Sequence, residues 1–156
     1  MSNLKIGEAV PDFEAPATSD LHFKSSDFKG KSNLVLYFYP KDSTPGCTIE
    51  GNDFSALHKT FESLDTEIFG ISKDSMKRHD NFKNKQGFPF ELISDIDTEI
   101  CELFGTWQLK KTFGKEYMGI VRSTFLINKE GILSQSWDSV KVKGHADEVL
   151  EAVKSL

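Results

Sequence analysis

The sequence predicts an α/β fold, with a mixed central sheet flanked by helices and an N-terminal extension before it. Three observations carry this. An uninterrupted apolar run, Asn33 to Tyr39 (NLVLYFY), reads as a strand buried on both faces. Stretches of helical and strand-like pattern then alternate from Cys47 to Ile93, the order produced by parallel strands joined through crossover helices. Two later apolar stretches, joined by Asn128-Lys129-Glu130-Gly131, supply an antiparallel pair through a hairpin-length connection.

Taken in order, positions 4 to 19 carry Pro11 and Pro16 around Phe13, which suits an extended lead-in ending in a turn at Ser19-Asp20. Leu21 and Phe23 read as a short strand running into a single turn that stops at Gly30. Gly30-Lys31-Ser32 looks like the tail of a phosphate loop, but Ser25 stands where that motif needs glycine and a strand follows in place of a helix. After the buried strand, Phe54, Leu57, Phe61 and Leu64 recur with helical period, and Cys47 lies seven residues before Phe54. Its sulfur therefore begins the inward stripe and faces protein as well as solvent. Glu67 to Ser72 is a second buried strand. Asp74-Ser75 caps a polar helix reaching about Lys85 and ended by Gly87 and Pro89, and Phe90 to Ile93 is a third strand. Asp95 or Asp97 caps a short helix that turns Ile100, Leu103 and Phe104 inward and closes at Gly105. Lys110-Lys111, with Lys115 nearby, reads as a solvated loop. Gly119 to Ile127 and Ile132 to Trp137 are strands, and a last helix from about Ala146 turns Val149, Leu150, Val153 and Leu156 to the core. This order is the thioredoxin-like arrangement. No repeat, low-complexity tract or linker divides it, so one domain over 1–156 is expected.

Composition narrows the function. A chain of 156 residues can bury roughly two-thirds of its unfolded surface, enough for one core. A net charge of −5 argues against nucleic acid or an anionic membrane as the main partner, since both need a basic face. The N-terminal stretch lacks a signal-peptide apolar core and no run approaches a membrane span, so a cytoplasmic location is expected. Cys47 and Cys101 are far apart and form neither a scaffold nor a C-x-x-C pair, so two free thiols are expected. His22, His58, His79 and His145 show no metal spacing, and neither a metal nor another cofactor has support.

The informative stretch is Pro40-Lys41-Asp42-Ser43-Thr44-Pro45-Gly46-Cys47-Thr48-Ile49-Glu50, between strand and helix. Thr44 suits an N-cap, Pro45 falls at the first helical position where its missing N–H costs nothing, and Cys47 falls three residues after the cap. A thiolate there gains from unpaired N–H groups and from the positive end of the helix dipole. A free cysteine is more often a small buried hydrophobe. The surrounding Thr-Pro-Gly tips the reading towards a reactive thiolate.

The pattern formed by Pro40, Thr44 and Cys47, together with YPKDSTPGCTIE and the stretch Tyr117 to Ile127 (YMGIVRSTFLI), resembles the peroxiredoxins and among them the bacterioferritin comigratory, or Q-type, group. The likeness runs from about Ile6 to Leu156. It implies a thiol-dependent peroxidase that is often monomeric, needs no cofactor, and takes electrons from thioredoxin, glutaredoxin or a small thiol. It further implies that Cys47 attacks the peroxide, Thr44 bonds the sulfur and the peroxide, Arg122 is the cation beside the thiolate, Pro40 shields the pocket and Glu50 holds the arginine. One departure stands out. Many relatives carry a resolving cysteine five residues after the first, and here that position is Asn52.

The chemistry asks for more than ionisation. An ordinary thiol near pKa 8.5 is a few per cent thiolate at neutral pH, and lowering it to about 6 gains only some thirtyfold. The leaving oxygen also develops charge, and Arg122, the Thr44 hydroxyl and the N–H groups of Gly46 and Cys47 are the expected donors. Arg122 lies inside an apolar strand, where an unpaired charge would be costly. The sulfenic acid formed must be reduced by a second thiol before further peroxide drives it to an irreversible acid. Cys101 is the one internal candidate, and its structural role on a short helix is favoured over resolving. A cycle on one cysteine with an external reductant is therefore expected. A peroxide sensor and a non-catalytic interaction protein are the alternatives of another class.

Overall fold

The computed structural model describes residues 4–156, so the first three positions of the N-terminal segment and of the expected domain lie outside it. The central sheet has five strands in the order β5 (Glu91–Ser94), β4 (Thr66–Ser72), β3 (Asn33–Phe38), β8 (Ser123–Ile127) and β9 (Leu133–Trp137). β3, β4 and β5 are parallel, whereas β8 runs antiparallel to β3, and β9 to β8. β3 is buried along its whole length, as an apolar run in the middle of a two-sided sheet must be.

Its alternating residues divide the core into two layers. Val35, Tyr37 and Tyr39 point to the face covered by α1 (Pro45–Ser63), α2 (Met76–Gln86) and α4 (His145–Lys154), where Cys47, Phe54, Phe61, Phe82, Val149 and Val153 pack. Leu34, Leu36 and Phe38 point to the other face, covered by α3 (Glu99–Leu103) and by the small β1–β2 hairpin (Glu14–Pro16 and His22–Lys24), with Phe23, Ile100, Cys101 and Phe104. The two cysteines are both free and lie on opposite faces of the sheet. No helix among the described residues is long and apolar enough to cross a membrane.

Three expectations are corrected. The stretch around Lys110, Lys111 and Lys115 is a β-hairpin, β6 (Trp107–Thr112) with β7 (Lys115–Ile120), joined by Phe113 and Gly114, both in the left-handed region. Its residues are largely exposed, which is why no alternating burial signal marked it. The single strand expected from Gly119 to Ile127 is two, because Val121 and Arg122 break from the ladder: Val121 N–H donates to the Thr106 carbonyl at 2.8 Å, and the Arg122 carbonyl accepts from Val140 N–H at 2.9 Å. The short helix α3 starts one residue after Thr98, which is left-handed, and both aspartates serve it from outside: Asp95 accepts from Ile100 and Cys101 N–H (3.1 and 2.7 Å) and Asp97 from Glu99 N–H (3.3 Å).

Candidate active site

The site forms where β3 ends and α1 begins. Thr44 is extended and Pro45 opens the helix, as the sequence predicts. The first helical bond runs from Thr48 N–H to the Thr44 carbonyl at 2.9 Å, so the N–H groups of Gly46 and Cys47 have no intrahelical partner. Cys47 sits between them and the core, 1 % exposed. The expectation that its sulfur also faces solvent is thus revised: Cys47 belongs to the same buried layer as Tyr37, Tyr39 and Phe54.

Thr44 occupies the cap position without acting as a side-chain cap. Its hydroxyl donates back to the Lys41 carbonyl at 2.8 Å across a turn in which Ser43 is left-handed. Pro40 is partly buried at the head of this loop.

Arg122 enters from the break between β7 and β8. Its Nη2 donates to Cys47 Sγ at 3.2 Å and its Nη1 to Glu50 Oε1 at 2.5 Å. Glu50 lies nearly one turn beyond Cys47 on α1 and is 1 % exposed, while the arginine side chain is 16 % exposed. Gly46 permits the approach, because a Cβ there would lie 3.3 Å from Nη2. Burial alone would lower the pKa of Arg122, but Glu50 and Cys47 more than offset it, and the guanidinium stays charged. Burial raises the Glu50 carboxyl to about 7 even though Arg122 pulls it down. Glu50 Oε2 and the buried Tyr37 hydroxyl have no hydrogen-bond partner among the described residues.

A second buried group, missed in the sequence, fixes the loop. Asp42 is 2 % exposed, accepts from the Tyr39 hydroxyl at 2.6 Å and pairs with His79 Nδ1 at 2.7 Å. The other ring nitrogen of His79 meets the Ile93 carbonyl at 3.0 Å, and Asp42 N–H donates to Asp74 at 2.8 Å. His79 and His145 are therefore core residues. The spacing of His79 and Phe82 on one stripe of α2 was the available signal. Asp42, Asp74 and His79 are close enough to offer metal ligands, but these bonds already engage their polar atoms.

Cys101 takes no part in this site. Burial, then the bond to Asp95, pushes its thiol well above the usual cysteine range, so it stays protonated on the far side of the sheet.

Together the fold and the site define a thiol redox protein of the thioredoxin-like class that presents one reactive sulfur instead of a vicinal pair. The AhpC/TSA family model matches residues 6–136. The chain is 50% identical over 153 residues to peroxiredoxin Bcp of Bacillus subtilis, covering 98% of this chain and 97% of that protein. Among solved structures, Xylella fastidiosa PrxQ superposes with a TM-score of 0.93 at 39% identity, covering 99% of this chain and 98% of that one. The Xanthomonas campestris bacterioferritin comigratory protein, described for its alkyl peroxide reduction activity, gives 0.89 at 45%, with 99% and 98% covered. The chain belongs to the AhpC/TSA family, as a peroxiredoxin of the Bcp (PrxQ) group, and is a thiol peroxidase.

Proposed function

We propose that Cys47 is the sulfur that attacks hydrogen peroxide and organic hydroperoxides, and that its sulfenic acid is reduced by an external thiol. The observation that supports this most directly is the 3.2 Å bond from Arg122 Nη2 to a sulfur held in the first turn of α1. Attack by the thiolate forms an S–O bond as the O–O bond breaks. The departing oxygen gains negative charge, and Arg122 with the free N–H groups of Gly46 and Cys47 stabilises it. Thr44 accepts the hydrogen of the incoming peroxide and so aims the oxygen under attack at sulfur. Glu50 orients Arg122, and Pro40 limits water at the loop.

The reductant is external because Cys101 is cut off. A disulfide needs Cα atoms within about 7 Å. Here the main chain of the sheet separates the Cys47 layer from the Cys101 layer, and Cys101 stays a thiol. Thioredoxin, glutaredoxin and small thiols are the candidate donors, and the enzyme is proposed to act as a cytoplasmic monomer.

The test is peroxide consumption with each donor on wild type, Cys47→Ser and Cys101→Ser. Activity is expected to vanish with Cys47→Ser and persist with Cys101→Ser. Disulfide mapping after one equivalent of peroxide should find no bond between Cys47 and Cys101; such a bond would restore the internal cycle. A single stable oxidised complex with a partner, without turnover, would favour the sensor.

A further inference from the structure

We propose that Glu50 is a proton-linked positioning residue: its carboxyl holds a proton while Cys47 is a thiolate and releases it when that sulfur becomes a sulfenic acid. One guanidinium serves two buried acids, with Nη2 at 3.2 Å from Sγ and Nη1 at 2.5 Å from Glu50 Oε1. Both Cys47 and Glu50 are 1 % exposed, and Oε2 has no partner among the described residues. With both anions charged, the site carries an uncompensated negative charge where water hardly reaches, which burial penalises. A proton on Oε2 relieves this and leaves the bond from Nη1 to Oε1 in place.

The other groups facing Glu50 do not supply the missing charge. Tyr37, on β3, stays a neutral phenol, because burial first and then Glu50 and Cys47 raise it. Asp53, farther along α1, is a further acid that adds to the penalty on the carboxylate. His145, on α4 beyond Arg122, is lowered to about 4 by burial and then by Arg122, so it is uncharged near neutrality. Arg122 is the one cation against Cys47 and Glu50 among the described residues, and burial, working against it, brings Glu50 to about 7.

Oxidation removes one of the two anions. The sulfur is oxidised by two electrons, the peroxide is reduced, and the departing oxygen takes one proton to leave as an alcohol, or as water from hydrogen peroxide. Arg122 is then left to Glu50 alone, which favours the carboxylate. Thiolate, carboxylic acid and hydroperoxide thus become sulfenic acid, carboxylate and alcohol with no proton drawn from solvent. A Glu50 that is already ionised makes the same step draw one.

The inference rests on Cys47 being the oxidised sulfur, and the experiment separates the two. The reduced full chain is mixed with one equivalent of hydrogen peroxide in weak buffer with a pH indicator. Thiolate content is read beforehand from ultraviolet absorbance, and Cys47 oxidation afterwards by mass spectrometry. At about pH 6.5 a carboxyl titrating near 7 is about three-quarters protonated, so uptake is expected to be about a quarter of a proton per thiolate oxidised, against about one for Glu50→Gln. The infrared difference between oxidised and reduced wild type should also lose the carbonyl band of a protonated carboxyl, which decides the matter even if Glu50→Gln does not fold. Uptake of about one with no lost band overturns the role of Glu50 alone. An unoxidised Cys47 overturns this and the proposed function together.

Discussion

Arg122→Gln is the most revealing single change, because Arg122 contacts both the sulfur and the carboxylate. Unit charges 3.2 Å apart interact by about 5 kcal/mol at an effective dielectric constant near 20. Desolvation offsets much of that, so about 1.5–3 kcal/mol, typical of a hydrogen bond to a charged group, is the better figure for the lost bond to the thiolate. Because ionisation saturates, the thiolate population near neutral pH falls by no more than about thirtyfold, the whole gain over an ordinary thiol. Losing one preorganised donor to the departing oxygen removes a further factor of about 10²–10³. The product is a fall of between about 10² and about 3 × 10⁴ in the single-turnover rate of Cys47 oxidation. Stability suffers less, because Glu50 keeps its proton without the arginine: an unpaired neutral carboxyl costs about 1–3 kcal/mol, below the 3–5 of a stranded buried charge. The assay is stopped-flow oxidation by hydrogen peroxide, with thermal unfolding as the control on the fold. A folded Arg122→Gln within about tenfold of wild type would refute the assignment of Arg122.

Other outcomes follow from the same geometry. Gly46→Ala replaces glycine in a helix, where alanine is better by up to about 1 kcal/mol, yet its Cβ would crowd Nη2 at 3.3 Å and displace the guanidinium. Unfolding temperature should hold or rise while single-turnover rate drops about tenfold, and an unchanged rate would show that the close approach is not used. Phe113→Asn should stabilise by about 0.5–1 kcal/mol in chemical denaturation with no effect on peroxide reduction, since Phe113 is fully exposed and left-handed at a two-residue turn that favours asparagine. A loss of stability would show that the ring makes an unrecognised contact. Glu50 sets a pH dependence: its folded carboxyl keeps a proton that the unfolded chain gives up near 4.5, so its contribution to stability falls as pH rises from about 4.5 to 7, by about 3 kcal/mol in all. Denaturant titrations across that window should show this slope in wild type and not in Glu50→Gln; parallel curves would count against the raised carboxyl.

The sequence exposed most where a periodic pattern met a local signal. NLVLYFY could be only a buried strand, Thr44-Pro45 could only open a helix, and Cys47 followed from the count. The β6–β7 hairpin escaped because its strands are mostly exposed and its turn uses Phe113 where the usual residue is asparagine. Asp42 and His79 escaped for a different reason: a buried ion pair joins residues distant in the chain, and the spacing of His79 and Phe82 marks burial without naming the partner. The Thr44 side chain does not cap the helix because its choice of the Lys41 carbonyl depends on the loop backbone.

From sequence alone came the α/β class, the cysteine in the first turn of a helix and the absence of a second thiol close by in the chain, since each depends on residue type and short-range spacing, whereas Arg122 as the cation came from the resemblance to the peroxiredoxins. The tertiary structure decided what depends on which sheet face a residue occupies and on how many charges share one partner. It put Cys101 behind the sheet from Cys47, broke a strand to bring Arg122 to the sulfur, and left Glu50 and Cys47 to share that arginine. Burial and charge balance belong to the folded chain, because they are sums over neighbours that only folding brings together.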